Sequence, residues 1–190
     1  MRLKKIVMKV LFLDHDGVIC LSNNFGTRFK KGKGHLVDDS VLKRFDNFDK
    51  KAINVLNEII ETTGCEIVVS SDWKIWATVE EMGEYYEHHG IIKKPIDFTP
   101  SINDVNVPSD FKWDRNYDLE QTRTLEIKDW LSKHPDVTQW VAVDDLFMGI
   151  TKTDKSENKV WGLSNFVWCP TVYEGIKQTG IKGKVIEFLT

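Results

Sequence analysis

Val7-Met8-Lys9-Val10-Leu11-Phe12-Leu13-Asp14-His15-Asp16-Gly17-Val18 decides how this chain is read. An apolar run broken only by Lys9 stops abruptly at two carboxylates and a glycine. Short apolar runs of this kind are typical of parallel strands buried on both faces. The same figure recurs twice: Ile67-Val68-Val69 runs into Ser70-Ser71-Asp72, and Trp140-Val141-Ala142-Val143 runs into Asp144-Asp145. Ile96-Asp97-Phe98 before Thr99-Pro100, and Phe166-Val167-Trp168 closed by Cys169-Pro170, supply two shorter candidates.

Helical periodicity fills the intervals. Ile53, Leu56, Ile59 and Ile60 share one face of residues 51–63, with Asp49 placed to cap the start and Gly64 to stop the end. Ile75, Trp76, Val79, Met82 and Tyr86 predict a helix over 73–89 that ends at Gly90. Leu125, Ile127, Trp130 and Leu131 predict another over 122–133, ended by His134-Pro135, and 180–189 form a short terminal helix. Strands alternating with helices predict an α/β fold: a Rossmann-like parallel sheet of about five strands with helices on both faces. Segments 20–48 and 99–121 are too long for ordinary connections, and long connections in compact domains are often lids or binding loops.

Length and composition narrow the function. At 190 residues and 41% hydrophobic, one domain over 1–190 is expected, with 20–48 as a short cap or flap. No apolar run approaches the roughly 18 residues of a membrane span, so no membrane partner is expected. The basic start Met1-Arg2-Leu3-Lys4-Lys5-Ile6 faintly mimics a signal peptide, but it runs into Asp14 with no small-residue cleavage site. It reads better as the lead into a buried strand. Cys20, Cys65 and Cys169 are odd in number and unpaired in spacing, which points to a reducing cytoplasm. Lys and Arg number 26 against 29 Asp and Glu, and the net charge of −3 argues against coating long nucleic acid by bulk charge.

Open parallel sheets bind ligands beyond the carboxyl ends of their strands. Asp14 and Asp16, Ser70 and Asp72, and Asp144 and Asp145 would then converge on one edge. Clustered carboxylates repel one another unless a cation sits among them, and oxygen-only ligation suits Mg²⁺. Gly17 lets the chain turn tightly after the strand.

Leu11-Phe12-Leu13-Asp14-His15-Asp16-Gly17-Val18 resembles the first motif of the haloacid dehalogenase (HAD) superfamily of phosphohydrolases. Val69-Ser70 looks like the second motif and Val143-Asp144-Asp145 like the fourth. The third, a lone cation, has two candidates, Arg123 and Lys128. Ser70-Ser71-Asp72-Trp73-Lys74, Arg123 with Glu126-Ile127-Lys128-Asp129-Trp130-Leu131, and Val141 to Asp145 are closest to the small HAD domain of Swiss Army Knife RNA-repair proteins and its phage and bacterial stand-alone relatives. The pattern departs at Thr124, where the resemblance implies a glycine.

This resemblance implies a Mg²⁺-dependent phosphomonoesterase with Asp14 as nucleophile and Asp16 as general acid and base. It implies a metal held by Asp14, the Asp16 main-chain carbonyl and Asp144 or Asp145. It further implies a phosphate held by Ser70, the Ser71 amide, and Arg123 or Lys128. Arg28-Phe29-Lys30-Lys31-Gly32-Lys33-Gly34-His35 is basic without an acid; it is an ordinary solvated loop or a flap over an open cleft. With Lys74 nearby and Trp73 or Trp113 as a stacking face, such a flap would favour a nucleotide or a phosphorylated nucleic-acid end. A phosphatase of a small metabolite such as a sugar phosphate, a receiver-like domain and a silent phosphate-binding module are the alternatives. Blander readings are also open: Asp72 as a helix cap, His15 as a bystander, Cys20 as buried filler, and Trp130 and Trp140 as core.

Overall fold

The computed structural model describes residues 8–22, 40–107, 109, 111, 113, 118–150 and 162–190. Arg28, Lys30, Lys31 and Lys33, together with Val7 and the residues before it, lie outside the described residues. Five strands form one sheet: β1 (Met8–Leu13), β2 (Glu66–Val69), β3 (Pro95–Phe98), β4 (Val137–Asp144) and β5 (Phe166–Trp168). Their order is β3-β2-β1-β4-β5, and every neighbouring pair is parallel. The chain thus builds outward from β1 on one side, returns, and builds outward on the other. That reversal opens a crevice between the carboxyl ends of β1 and β4.

Side chains alternate across the sheet, and each face has its own cover. Leu11, Leu13, Ile67, Val69, Val141 and Val143 join the larger core with α2 (Lys50–Thr63), α3 (Val79–His88) and α5 (Ile181–Phe188). Val10, Phe12, Val68 and Ala142 pack on the opposite side with Ile127 and Trp130 of α4 (Asp118–Lys133). Trp130 is buried there, and Trp140 is half-buried against the same cluster.

Local chemistry accounts for the helix ends. The Asp49 carboxylate accepts from the Ala52 amide at 2.8 Å, and Gly64 closes α2 in the left-handed region at φ 69°. The helix expected over 73–89 is instead two pieces. A 3₁₀ turn spans Asp72–Ile75, and α3 starts afresh behind Thr78. Thr78 Oγ1 accepts from the Glu81 amide at 3.2 Å, while Glu81 Oε2 accepts from the Thr78 amide at 2.9 Å. This reciprocal cap satisfies two amides that a continuous helix would have bonded internally. Ile75 and Trp76, which carried the apparent periodicity, are exposed.

Two further expectations change. α4 begins at Asp118, four residues before the expected 122, so residues 118–121 of the supposed loop are helical. Position 124 is therefore a helix interior, where Thr costs less than Gly would. Within 20–48, residues 41–44 form a short helix, α1 (Val41–Arg44), and Phe45 and Phe48 are buried in the core.

Candidate active site

The ladder carries the chain ends into the crevice. The Asp14 amide donates to the Val143 carbonyl at 3.1 Å, and the Ser70 amide donates to the Leu13 carbonyl at 2.9 Å. Asp14 therefore sits directly beyond β1, flanked by the ends of β2 and β4. Past it the chain folds back sharply, with the Ile19 and Cys20 amides donating to the His15 carbonyl at 3.0 and 2.7 Å. Gly17 turns with φ 77°, and a Cβ there would stand 2.6 Å from Cγ and 2.8 Å from Cβ of Asp145. The glycine thus serves the site twice, by its backbone and by the room it leaves for Asp145.

Asp14, Asp144 and Asp145 each offer an oxygen, and these oxygens lie within 4.8 Å of one another. Asp14 and Asp144 are buried. Burial pushes the Asp14 carboxyl up to about 6; Arg123 opposes that rise, and Asp145 and Asp16 add to it. Asp144 is raised well above its ordinary value, first by burial and then by Asp14. Three crowded, mostly dry oxygen donors with raised proton affinity fit a hard divalent cation.

Arg123 is the compensating charge. It reaches in from α4, Nη1 donating to Asp14 Oδ1 at 3.1 Å, to Asp144 Oδ2 at 3.3 Å and to the Ser70 carbonyl. Nη2 donates to Asp72 Oδ1 at 3.1 Å. These carboxylates hold the guanidinium proton affinity above its ordinary value despite burial. Lys128, its rival as the phosphate cation, is exposed. Five residues along a helix of 3.6 per turn place it roughly 140° away around the axis. The geometry separates Lys128 from the cluster.

Ser70 and Ser71 complete the floor. Both are buried; the Ser71 hydroxyl donates to the Asp14 carboxylate, and Ser70 Oγ has no hydrogen-bond partner among the described residues. An unmet hydroxyl beside a guanidinium is apt for an oxyanion. Asp16 is half-buried next to this floor, and the Trp73 indole Nε1 donates to its Oδ2 at 3.3 Å.

Other expected residues fall elsewhere. Trp73 is buried and stacked on protein rings, so it has no free face for a base. Lys74 is bound to Glu126 Oε2 at 2.6 Å, Thr99 Oγ1 at 3.1 Å and the Pro100 carbonyl at 2.9 Å. That ammonium is a structural tie between β3 and α4, lowered by burial and held up mainly by Glu126. Asp72 meets Arg123 rather than capping the turn it opens. His15 is buried with Nε2 2.7 Å from the Tyr86 hydroxyl, and burial pushes the ring down to about 3, so it stays neutral. No disulfide joins Cys20, Cys65 and Cys169, and all three are buried. Among the described residues no helix is long and apolar enough to cross a membrane.

Phe147 and Trp168 were missed by the sequence reading. Both are exposed, their ring centroids 5.1 Å apart and edge to face, and Trp168 Nε1 donates to the Asp145 carbonyl at 2.9 Å. Trp168 is the register partner of Asp144. Its position at the end of β5, level with the acids, is the signal that could have found it.

The model of the HAD domain in Swiss Army Knife RNA repair proteins matches residues 10–173. No curated protein and no solved structure matches the chain. A five-stranded parallel sheet carrying Asp14 and Asp144 on either side of its reversal point agrees with that match. The chain belongs to this HAD domain family, and so to an enzyme superfamily of the phosphohydrolase type.

Proposed function

We propose that this chain is a Mg²⁺-dependent phosphomonoesterase working through an aspartyl-phosphate on Asp14, with a nucleotide or nucleic-acid terminal phosphate as substrate. The observation that carries this reading is the Asp14–Asp144–Asp145 group, gathered within 4.8 Å and faced by Arg123. Asp14, Asp144, Asp145 and the Asp16 main-chain carbonyl would hold the cation, which lowers the repulsion between an anionic nucleophile and an anionic substrate. An Asp14 oxygen attacks phosphorus in line, and the bond to the leaving oxygen breaks as Asp16 gives that oxygen a proton. Water then attacks phosphorus, Asp16 takes its proton, and the bond to Asp14 breaks. Ser70 Oγ and the Ser71 amide receive phosphoryl oxygens throughout, and Arg123 balances their charge.

A phosphate-release screen tests it. Turnover is expected with Mg²⁺, disappears in EDTA, and returns on adding Mg²⁺ but not Ca²⁺, whose looser and more numerous ligation misplaces nucleophile and phosphate. Full activity in chelator would remove the metal from this account. A domain that takes up phosphate without turnover would be receiver-like or a silent binder.

The substrate class rests on Phe147 and Trp168, whose rings are exposed, with Trp168 Nε1 donating to the Asp145 carbonyl. Their exposed rings stand beside the acids and offer a base the stacking face that buried Trp73 does not. Stacking contributes about 1–3 kcal/mol per base, so Trp168→Ala should raise KM for nucleoside monophosphates about 5–150-fold. KM for ribose 5-phosphate, which has no base, should not follow. Equal shifts for both, or none, move the sugar-phosphate alternative ahead. Arg28, Lys30 and Lys31 would add contacts to phosphates further along a nucleic-acid strand.

A further inference from the structure

The two halves of α4 are held by different chemistry. In its second half Ile127 and Trp130 are buried with Phe12 and Val68 of the sheet, and the Trp130 indole donates to Asp97 Oδ2 at 2.6 Å. In its first half the buried side chains are Gln121, Arg123 and Thr124, with Glu126 at the join. All four are polar. The half that carries Arg123 therefore needs a polar seat.

Lys74 supplies one. Its ammonium has three protons and meets three acceptors: Glu126 Oε2 at 2.6 Å, the Pro100 carbonyl at 2.9 Å and Thr99 Oγ1 at 3.1 Å. Both side chains of the ion pair are 6% exposed. Lys74 lies in the 3₁₀ turn after β2, Thr99 and Pro100 follow β3, and Glu126 is on α4. One ammonium thus joins the ends of two strands to the helix. Arg123 stands three residues before Glu126, on the same helix face. It reaches the segment that carries Lys74 through the Ser70 carbonyl and Asp72 Oδ1. One face of α4 grips residues 70–74 twice.

We propose that the Lys74–Glu126 pair is a positioning device that aims the Arg123 guanidinium into the crevice. Its catalytic meaning rests on the phosphohydrolase reading given above. A buried ion pair adds little net stability, because desolvation offsets the attraction between the charges. What it adds here is a fixed distance and direction. Without it the polar half of α4 rolls about its apolar half, and Arg123 moves with it. A misplacement of about 1 Å can cost about 10²-fold in rate. Lys74 and Glu126 act on phosphate only through Arg123.

Lys74→Met combined with Glu126→Leu removes both charges and keeps similar volume. The melting temperature should stay near that of the wild type, since such replacements are often neutral or stabilising. kcat/KM for p-nitrophenyl phosphate should nevertheless fall on the order of 10²-fold. The same two substitutions placed on Arg123→Met should lower kcat/KM by less than about 3-fold further, because effects that pass through one group do not add. An undiminished kcat/KM in the first case, or equal losses in both backgrounds, would make the pair an ordinary packing tie and overturn the proposal.

A second measurement needs neither turnover nor a stable triple variant. In ¹⁵N-labelled protein the Arg123 Nε–H resonance, identified by its loss in Arg123→Met, should shift when Lys74→Met and Glu126→Leu are introduced. The Trp130 indole N–H, at the apolar end of the helix, should stay in place. An unmoved Arg123 resonance, or equal displacement of both, overturns the proposal. Should the wild type hydrolyse no phosphate ester while Arg123 alone responds, the phosphohydrolase reading fails and the positioning of Arg123 stands.

Discussion

Asp14→Asn should lower phosphatase turnover on the order of 10³-fold or more, because the amide cannot supply the anion that bonds to phosphorus. The folded state should not suffer. Burial already disfavours the Asp14 carboxylate and pushes its pKa up to about 6, so the native state bears a cost for ionising it. Asn has the same shape without that cost, and Arg123 retains Asp144 and Asp72. The melting temperature should therefore be no lower than that of the wild type. Retention of about a tenth of the activity, a loss of little more than 1 kcal/mol in barrier, would exclude Asp14 as nucleophile.

Arg123→Met should be damaging in both respects. The Arg123 side chain is 9% exposed and faces two buried carboxylates, Asp14 and Asp144. Removing one partner of a buried ionic group costs about 3–5 kcal/mol. For a chain of this size each kcal/mol lowers the melting temperature by about 2–4 °C, so a drop of about 10 °C is expected. Its pH dependence has a definite sign. The Asp14 carboxyl titrates higher folded than its unfolded value of 3.8, so the stability it contributes is present at low pH and lost as pH rises through the folded pKa of about 6. Without Arg123 that folded pKa rises further. The deficit of the variant should grow between pH 5 and pH 8, as measured by thermal melts. Millimolar Mg²⁺ should recover part of the loss at pH 8, because a cation among the carboxylates replaces some of the missing charge. A melting temperature equal to wild type at pH 8 would mean that the cluster is not a coupled charge group.

What could be read from the residues follows from how parallel strands are buried. β1, β2 and β4 are covered on both faces, so their sequences are nearly unbroken apolar runs, and the polar residue that ends each run marks the crevice. That logic brings Asp14, Ser70 and Asp144 together before any coordinate is known. It failed where periodicity and burial part company. Ile75 and Trp76 continue the spacing of α3 but are exposed, and the true signal was the Thr78–Glu81 cap. Arg123 and Lys128 both fall inside the helix expected over 122–133, about 140° apart around its axis, and only the packing of α4 shows which of the two faces meets the acids. Trp168 ends β5, whereas Trp73 lies four residues past β2 in the 3₁₀ turn, and each follows a short apolar run in the sequence. Only three-dimensional packing shows that Trp73 lies under Phe45 and Phe48 while Trp168 is open at the rim. The basic run at Arg28, Lys30, Lys31 and Lys33 remains an expectation on residues outside those described.

The central claim is a covalent phosphoryl group on Asp14, and borohydride trapping reads it directly. The protein is mixed with Mg²⁺ and a rapidly reacting aryl phosphate, quenched within a turnover, reduced, digested and analysed by mass spectrometry. Borohydride reduces an acyl phosphate to an alcohol and leaves free carboxylates untouched. The account predicts that the peptide containing Leu13-Asp14-His15-Asp16 has the Asp14 side chain converted to the homoserine alcohol, with Asp16 intact, and that omitting substrate abolishes the change. An unmodified Asp14 during demonstrable turnover, or reduction at any other carboxyl, would contradict it.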